Sequence, residues 1–496
     1  MSRRSDVCLV LEGTYPYISG GVSSWVHQLI CALKDIRFSL LILLPNREHI
    51  REMKYKLPSN VVDIRQVFIH EHDLGKQSAN SSRAKQKLFD ELEEYAKELI
   101  AGNTTVFEKI QTLFDTDRPA HLTIHDLLFS LPSWDMLRNM YKHYNLNISF
   151  LDFFWTFRFS ILPVIPLFQT DIPDAEIYHT VSTGYAGLIG AVAKIKNNAV
   201  LLLTEHGIYA KERKMEIAQA SWIYDEKQAD SRPQKNMSFF KEWWITMFNR
   251  MARLCYEHSR QVVTLYEDNR KLQIAAGAAP DSSIIIPNGI DVSKFSPIER
   301  TIEYGQTRFT IGFVGRVVPI KDVKTFIKAC KIIVEKFPES KILILGPTDE
   351  EEQYYEECVR LCAMLDLNDN ITFTGIVPVK EYYPLIDLVV LTSESEAQPL
   401  VILEANAMGI PIVSSDVGAC DEMLNGRTSE DKSLGASGLI TGVANPRETA
   451  QSVIKILSDP PMYHAMSKAG IQRVYRFYNQ DDLFANYLNL YEKYLY

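Results

Sequence analysis

Twice along its 496 residues the chain alternates short apolar runs with longer stretches of helical periodicity. A run such as Phe38–Leu44, apolar at nearly every position and too short for a stable helix, fits a strand buried on both faces. The first series opens with strand Val7–Leu11, then a loop, Glu12–Gly21, that holds Pro16 and the pair Gly20-Gly21. Val22–Leu33 follows, with Val22, Trp25, Val26, Leu29, Ile30 and Leu33 on one side of a helix. Phe38–Leu44 and Val61–Ile69 read as further strands. The rhythm resumes with Ile177–His179, helix Tyr185–Lys196 and strand Ala199–Thr204, and strands Gln261–Leu265 and Ser283–Ile286 close this half. Buried strands separated by crossover helices predict an α/β fold, a parallel sheet with helices on both faces.

The second series runs Phe309–Val314, helix Lys321–Lys336, strand Lys341–Leu345, helix Glu351–Leu365, strand Ile371–Thr374, helix Val379–Ile386 and strand Leu388–Thr392. Two such series predict two Rossmann-like domains facing a cleft, residues 1–298 and 299–478, with the polar stretch Ser296–Thr307 as linker. Asp481–Tyr494 carries apolar residues at helical spacing, so residues 479–496 are expected to dock back on the first domain. Between about 75 and 170 the alternation is interrupted. Leu88–Ile100, Val106–Phe114 and Leu127–Tyr144 read as helices, which makes this a helical insertion in the first domain. Ser238–His258 is a long helix with a broad apolar face, and Gly207–Pro233 before it is polar and charged.

Bulk properties narrow the function. A net charge of −9 argues against nucleic acid, which calls for a basic face. The seven cysteines are odd in number and lie mostly in apolar runs, as buried free thiols of a reducing, cytoplasmic compartment would. Cys358 and Cys362 are four apart on a predicted helix without matching histidines, so no zinc site is expected. Met1–Asp6 is polar and Val7–Leu11 too short for a secretory h-region. The most membrane-like segment, Phe150–Phe168, carries Asp152, Arg158, Pro163 and Pro166, which argues against a spanning helix and favours a buried or partner-facing segment over membrane-surface contact. Its aromatics Phe150, Phe153, Phe154, Trp155 and Phe157 are expected to pack in a core; docking on a membrane synthase complex is the alternative.

The chemistry concentrates in SESEAQPLVILEANAMGIPIVSSDVG, Ser393–Gly418. Glu396 sits in a loop, Pro399 can open a helix, and Glu404 falls about one and a half turns into it. Free N–H groups and the positive dipole end at that helix start favour a phosphate, and the two acids can accept from hydroxyls beside it. Upstream, the strand ending at Val314 is followed by Gly315, Arg316 and Lys321. A planar fork and a mobile point charge at a strand's carboxyl end suit a diphosphate. Two solvated loop charges would be the plainer reading, and the downstream acids weigh against it. A ligand with a diphosphate and many hydroxyls is a sugar nucleotide.

GGV near the start, PNGIDVSKFSP, GRVVPIKDVKTFIKA, TGIVP and the Glu396–Glu404 pair resemble glycosyltransferase family 4 in order and spacing, most strongly over about 285–420. LEGTYPYISGGVSSWVHQLI together with the helical insertion looks closer still to the glycosyltransferases of the bacterial Pel exopolysaccharide pathway. The resemblance implies the GT-B fold, a retaining reaction, a UDP-sugar donor and a polysaccharide acceptor. It also implies recruitment to an inner-membrane exopolysaccharide synthase complex, with neither a tightly bound cofactor nor a metal. It gives Arg316 and Lys321 the donor diphosphate, Glu404 the ribose and Glu396 the donor sugar. Backbone N–H groups across Gln398, Pro399, Leu400 and Val401 would meet phosphate and sugar; proline itself has none to give. Ile376, beside Gly375, would border the uracil, and Gly20 and Gly21 would let the first domain's backbone approach the ligand, although a simple turn is the commoner explanation of such a pair. His206, at the end of strand LLLTEHGIY, would stabilise the transition state by hydrogen bonding. His179 could equally orient a loop, and Glu205 and Glu422 could be plain loop charges.

Other chemistries find no support. Asp115-Thr116-Asp117 spells the acidic triplet of metal-dependent glycosyltransferases but follows a helical stretch rather than a buried strand. Walker A, G-x-G-x-x-G and G-x-S-x-G patterns are missing. The expectation is a glycosyltransferase. Its rivals are a non-catalytic sugar-nucleotide-binding subunit of a polysaccharide assembly and a nucleotide-sugar epimerase of related fold.

Overall fold

The computed structural model describes residues 4–13, 15–50, 52–71, 83–144, 148–219 and 239–495. The opening of the insertion at 75–82 and most of the polar stretch before the long helix, 220–233, lie outside the described residues. The chain divides into two compact units. The first comprises Met1–Thr264, Arg270–Ile284 and Leu488–Tyr496, and the second Leu265–Asn269 and Ile285–Tyr487.

The first unit is built on β1 (Ser5–Glu12), β2 (Phe38–Leu44), β3 (Val61–Phe68), β4 (Ala175–Thr180), β5 (Val200–Glu205), β6 (Gln261–Thr264) and β7 (Ser283–Ile285). They lie in the order β3-β2-β1-β4-β5-β6-β7. β1 pairs in parallel with both β2 and β4, so Leu9 stands opposite Leu40 on one side and His179 on the other. Val7–Leu11 and Phe38–Leu44 are buried along their length, which is why they read as unbroken apolar runs. Strand order reverses between β1 and β4, and the loops leaving those strands part in opposite directions there.

Between β3 and β4 the described insertion holds helices Arg83–Ala101, Phe107–Phe114, Ile124–Phe129, Leu131–Tyr144, Phe150–Ile161 and Ile165–Gln169. Where one helix is expected over Leu127–Tyr144, two are found. The first is capped by a reciprocal Thr123–Asp126 box and stops at the extended Ser130; the second carries Pro132 in its first turn, where a missing N–H costs nothing. Pro163 lies in the break between the last two helices. Among the described residues, Phe150–Gln169 is the one stretch long and apolar enough to cross a membrane. Core packing holds for one face of it only. Phe153 is 1% exposed, whereas Leu151, Trp155 and Phe159 are 61%, 45% and 59% exposed. The inward faces of these helices join the sheet's helices, including the long helix Phe239–His258, in one core.

The apolar stripe of the last helix, Gln480–Leu495, has a partner for its final turns in the first unit. Tyr491 is fully buried, meets Phe38 edge to face, and its hydroxyl lies 2.6 Å from His179 Nδ1.

The second unit repeats the architecture with β8 (Thr310–Val314), β9 (Lys341–Leu345), β10 (Ile371–Gly375), β11 (Leu388–Leu391), β12 (Ile412–Ser415) and β13 (Gly438–Thr441), in the order β10-β9-β8-β11-β12-β13. All pairings are parallel, and the order reverses between β8 and β11. The stretch Ser296–Thr307 is no free linker. Ile302 is buried in this unit's core, and Arg300 donates to the carbonyls of Met408 and Tyr383 at 3.2 and 2.7 Å. The helix expected over Val379–Ile386 is a single turn, Val379–Tyr382, followed by a tighter turn through Pro384. A wholly buried Arg473 ties this unit's far end together. Its Nε donates to Asp431 at 2.6 Å, and its terminal nitrogens donate to the carbonyls of Leu424, Asp431 and Gly435.

Candidate functional site

In the second unit Lys321 and Glu396 meet at the sheet's reversal point, where the carboxyl ends of β8 and β11 diverge. β8 leads through Gly315 and Arg316 into a tight turn, Pro319–Lys321. The helix begins at Val323, two residues later than expected. Asp322 caps it in a left-handed conformation, φ +44°, with its side chain accepting from Thr325 N. Lys321 therefore stands before the helix rather than in it, and its Nζ bonds Glu396 Oε1. Both side chains are largely enclosed, 19% and 12% exposed. Glu396 Oε1 also accepts from Ser393 Oγ at 2.6 Å, a partner without a distinguishing signal in the sequence.

Two glycines hold this loop where it is. A Cβ on Gly418, at φ +56°, would stand 2.2 Å from the carbonyl oxygen of Glu396, while the next residue, Ala419, donates to Ala397 O at 2.8 Å. Gly346, after β9, lies so close to Gly315 that a Cβ would come within 2.1 Å of its carbonyl oxygen. These contacts set the backbone positions of Glu396 and of Gly315 beside Arg316.

Helix Leu400–Ala407 starts immediately after the Glu396 loop, with Pro399 in the cap position and no side-chain cap. The N–H groups of Leu400 and Val401 have no protein acceptor among the described residues. Gln398 is spoken for: it is 7% exposed and clasps Asn288, accepting from its N–H at 2.8 Å and donating to its carbonyl at 3.2 Å. Its side chain thus fixes the Pro287-Asn288-Gly289 turn instead of reaching outward. Glu404 accepts from the buried Tyr383 hydroxyl at 2.7 Å through Oε2. Burial raises its pKa above the usual carboxylate value, against the lowering effect of that hydrogen bond. Arg316 is 53% exposed and paired with Glu350 at 2.7 Å, so it does not join the Lys321–Glu396 contact. Ile376 is 79% exposed just past the carboxyl end of β10.

The first unit has its own cluster at the reversal between β1 and β4. Gly20 and Gly21 are exposed at the start of helix Gly21–Ala32. Gly20 is fully extended, and a Cβ on either glycine would meet nothing within 4 Å, so none of the described residues requires glycine there. His206 follows β5 and packs edge to face against Trp25 with centroids 4.9 Å apart. Burial lowers its pKa to about 4, which keeps the ring neutral at pH 7. His179 is a structural histidine: fully buried, held by Tyr491 OH and, at 2.9 Å, by Thr204 Oγ1, with its pKa pushed down to about 3 by burial.

Glu205 proves to be a buried hub rather than a loop charge. It is 1% exposed and accepts from Thr183, Tyr209 N, Tyr256 and Gln273 at 2.7–3.1 Å. Desolvation raises its pKa despite those four donors. Glu422 is likewise engaged, accepting from Glu267 N at 2.9 Å. Asp115 and Asp117 close a turn at the end of helix Phe107–Phe114, where Asp117 N donates to Asp115 Oδ1 at 3.2 Å. No cluster of three potential metal ligands occurs among the described residues. Glu12, at the carboxyl end of β1, was missed by motif reading. It accepts from Tyr209 OH at 2.7 Å and from Ser182 Oγ and Ala186 N at longer range. Its position at a strand end beside a reversal point is the signal that would have found it.

Comparison with known proteins bears on both units. A family described as "Domain of unknown function (DUF3492)" matches residues 5–281, and "Glycosyl transferases group 1" matches residues 298–473. The D-inositol 3-phosphate glycosyltransferase of Nocardia farcinica is 27% identical over 226 residues, covering 43% of this chain and 46% of that protein. The matched region thus spans about half the length of such curated relatives. The capsular polysaccharide biosynthesis glycosyltransferase CapM of Staphylococcus aureus is 23% identical over 350 residues, 68% of this chain and 81% of CapM. Among solved structures, Anabaena HepE in complex with UDP superposes with a TM-score of 0.59 over 98% of this chain and 100% of that one, at 13% identity. The fold is GT-B, two parallel-sheet α/β domains.

Proposed function

The chain belongs to the DUF3492 family and continues into a Glycosyl transferases group 1 region, and from that premise we propose that it is a retaining glycosyltransferase. It moves a hexose or N-acetylhexosamine from a UDP-sugar to a growing Pel-type exopolysaccharide. The observation that carries this reading is the meeting of Lys321 and Glu396 at the reversal point of the second sheet, beside a helix start with unused N–H groups. HepE was solved with UDP, and CapM is named for capsular polysaccharide synthesis; both support the donor and acceptor classes.

Lys321 shifts from Glu396 to the diphosphate as UDP-sugar binds, and Arg316 reaches the same phosphates from its exposed position. Leu400 and Val401 N–H groups add the helix-start contribution. The released Glu396 accepts from donor-sugar hydroxyls, and Glu404, with Oε2 bound to Tyr383, offers Oε1 to the ribose. Ile376 borders the base. In the first unit, Gly20 and Gly21 admit the ligand's close approach, and neutral His206 stabilises the transition state by hydrogen bonding. The anomeric C–O bond to the diphosphate breaks while the acceptor oxygen bonds the same face of the sugar. The acceptor's proton passes to the departing phosphate oxygen, so UDP and the extended glycan are the products. Cationic side chains do the work of a metal here. The exposed Leu151, Trp155 and Phe159 support recruitment to the cytoplasmic face of an inner-membrane synthase complex.

The test is incubation of the pure protein with radiolabelled UDP-sugars and a glycan acceptor. Label in glycan with release of UDP is the expected result. Binding with neither transfer nor hydrolysis would identify a non-catalytic subunit, and an altered sugar still attached to UDP an epimerase.

A further inference from the structure

The helical insertion and the long helix Phe239–His258 line a half-open apolar pocket of about 320 Å³ that the proposed reaction does not use. Leu99, Phe107, Phe157, Phe168, Met247 and Leu254 are among its walls, all in the first unit. Protein interiors pack to crystal density and hold few voids larger than a water, so a space this large and this apolar is not ordinary packing slack. An apolar void of roughly 150 Å³ takes up benzene; by proportion this one accommodates an aliphatic chain on the order of a dozen carbons.

Arg250 is among the residues that line the pocket. Its Nη2 donates to Ile100 O at 3.3 Å, while its Nε is buried with no hydrogen-bond partner among the described residues. A buried guanidinium N–H without an acceptor is a recognition element for an anion. Glu242, the acid among the lining residues, lies eight residues earlier on the same helix, about 12 Å away along its axis. We propose that this cavity binds a single aliphatic chain ending in an anionic group, the chain among the apolar walls and the anion on Arg250. The helix whose Phe157 and Ile161 line the cavity exposes Leu151, Trp155 and Phe159 on its outer side, so both a free fatty acid and the acyl tail of a membrane lipid can supply such a chain.

The experiment titrates the full-length protein with cis-parinaric acid, followed by its fluorescence, and displaces it with dodecanoate. Saturable binding at one site is expected. Ala96→Phe and, separately, Met247→Trp fill the cavity and should each weaken binding at least about tenfold, with melting curves confirming that they fold. Arg250→Gln should weaken dodecanoate about tenfold and leave dodecanol unchanged. Flotation with phosphatidylglycerol vesicles that the filled variants lose assigns the chain to membrane lipid; parinarate binding without flotation assigns it to a free acid. No saturable parinarate binding by the wild-type protein, or wild-type binding by both folded, cavity-filled variants, overturns the proposal.

Discussion

Lys321 and Glu396 should respond to substitution with opposite signs in UDP binding, although they bond one another. They neutralise each other at 19% and 12% exposure, so on the proposed reading UDP draws the ammonium away from the carboxylate. Lys321→Met removes one charge-assisted hydrogen bond to phosphate, worth about 1.5–3 kcal/mol, which is roughly 10- to 150-fold in UDP affinity. Glu396→Gln leaves the cation in place without its competitor. UDP carries no sugar for Glu396 to contact, so its affinity should stay the same or tighten. Transfer from UDP-sugar separates the roles again. The Lys321 variant loses a contact that strengthens as charge grows on the leaving diphosphate, roughly 100- to 1,000-fold in kcat. The Glu396 variant also slows, because the sugar loses an acceptor. Calorimetric titration with UDP and a UDP-release assay measure both quantities, and melting temperatures check that each variant folds. Equal weakening of UDP binding by both substitutions would refute the competition, and wild-type turnover in Lys321→Met would remove the diphosphate assignment.

Other substitutions separate fold from function. Gly20→Ala meets no neighbour and fits the extended backbone, so stability should change by no more than about 0.5 kcal/mol while transfer falls at least about tenfold; equal loss of both would make the glycine structural. Gly418→Ala forces a Cβ against the Glu396 carbonyl at positive φ, so it should cost about 1–3 kcal/mol and transfer together, as melting and turnover would show. His206 has a folded pKa of about 4, below an unfolded value near 6.5. Its contribution to stability is complete above pH 6.5 and is lost as pH falls towards 4, so the melting temperature of His206→Gln should depend less steeply on pH in that window than the wild type's. Identical slopes would show that burial does not suppress its protonation. Turnover should survive EDTA; strict dependence on an added divalent ion would return attention to Asp115 and Asp117.

The two strand-and-helix series were legible because burial on both faces leaves a local mark, an unbroken apolar run, that sequence alone displays at Val7–Leu11, Phe38–Leu44 and Phe309–Val314. The candidate residues of the second unit were legible for a related reason. Strand ends, glycine turns and a proline at a helix start are local chemistry, so Lys321, Glu396 and the start of helix Leu400–Ala407 could be placed near one another by register. Their roles were harder to read where a side chain's partner is remote. Gln398 was expected to offer its backbone N–H, and nothing local told that its side chain clasps Asn288, 110 residues away in sequence. Glu205 looked like a loop charge and is sealed under four donors, three of them side chains from other elements. The outward half of Phe150–Ile161 looked like core because composition does not say which aromatics face inward.

By itself, then, the sequence determined two parallel α/β halves and a helical interruption in the first. Only the tertiary structure decided where each sheet reverses, that Lys321 closes on Glu396 across 75 residues, that Tyr383 occupies half of Glu404, and that Tyr491 holds His179 from 312 residues away. The division has one physical cause. Backbone propensity and burial periodicity act over a few neighbouring residues, whereas strand order and side-chain pairing are settled by which distant surfaces exclude water together.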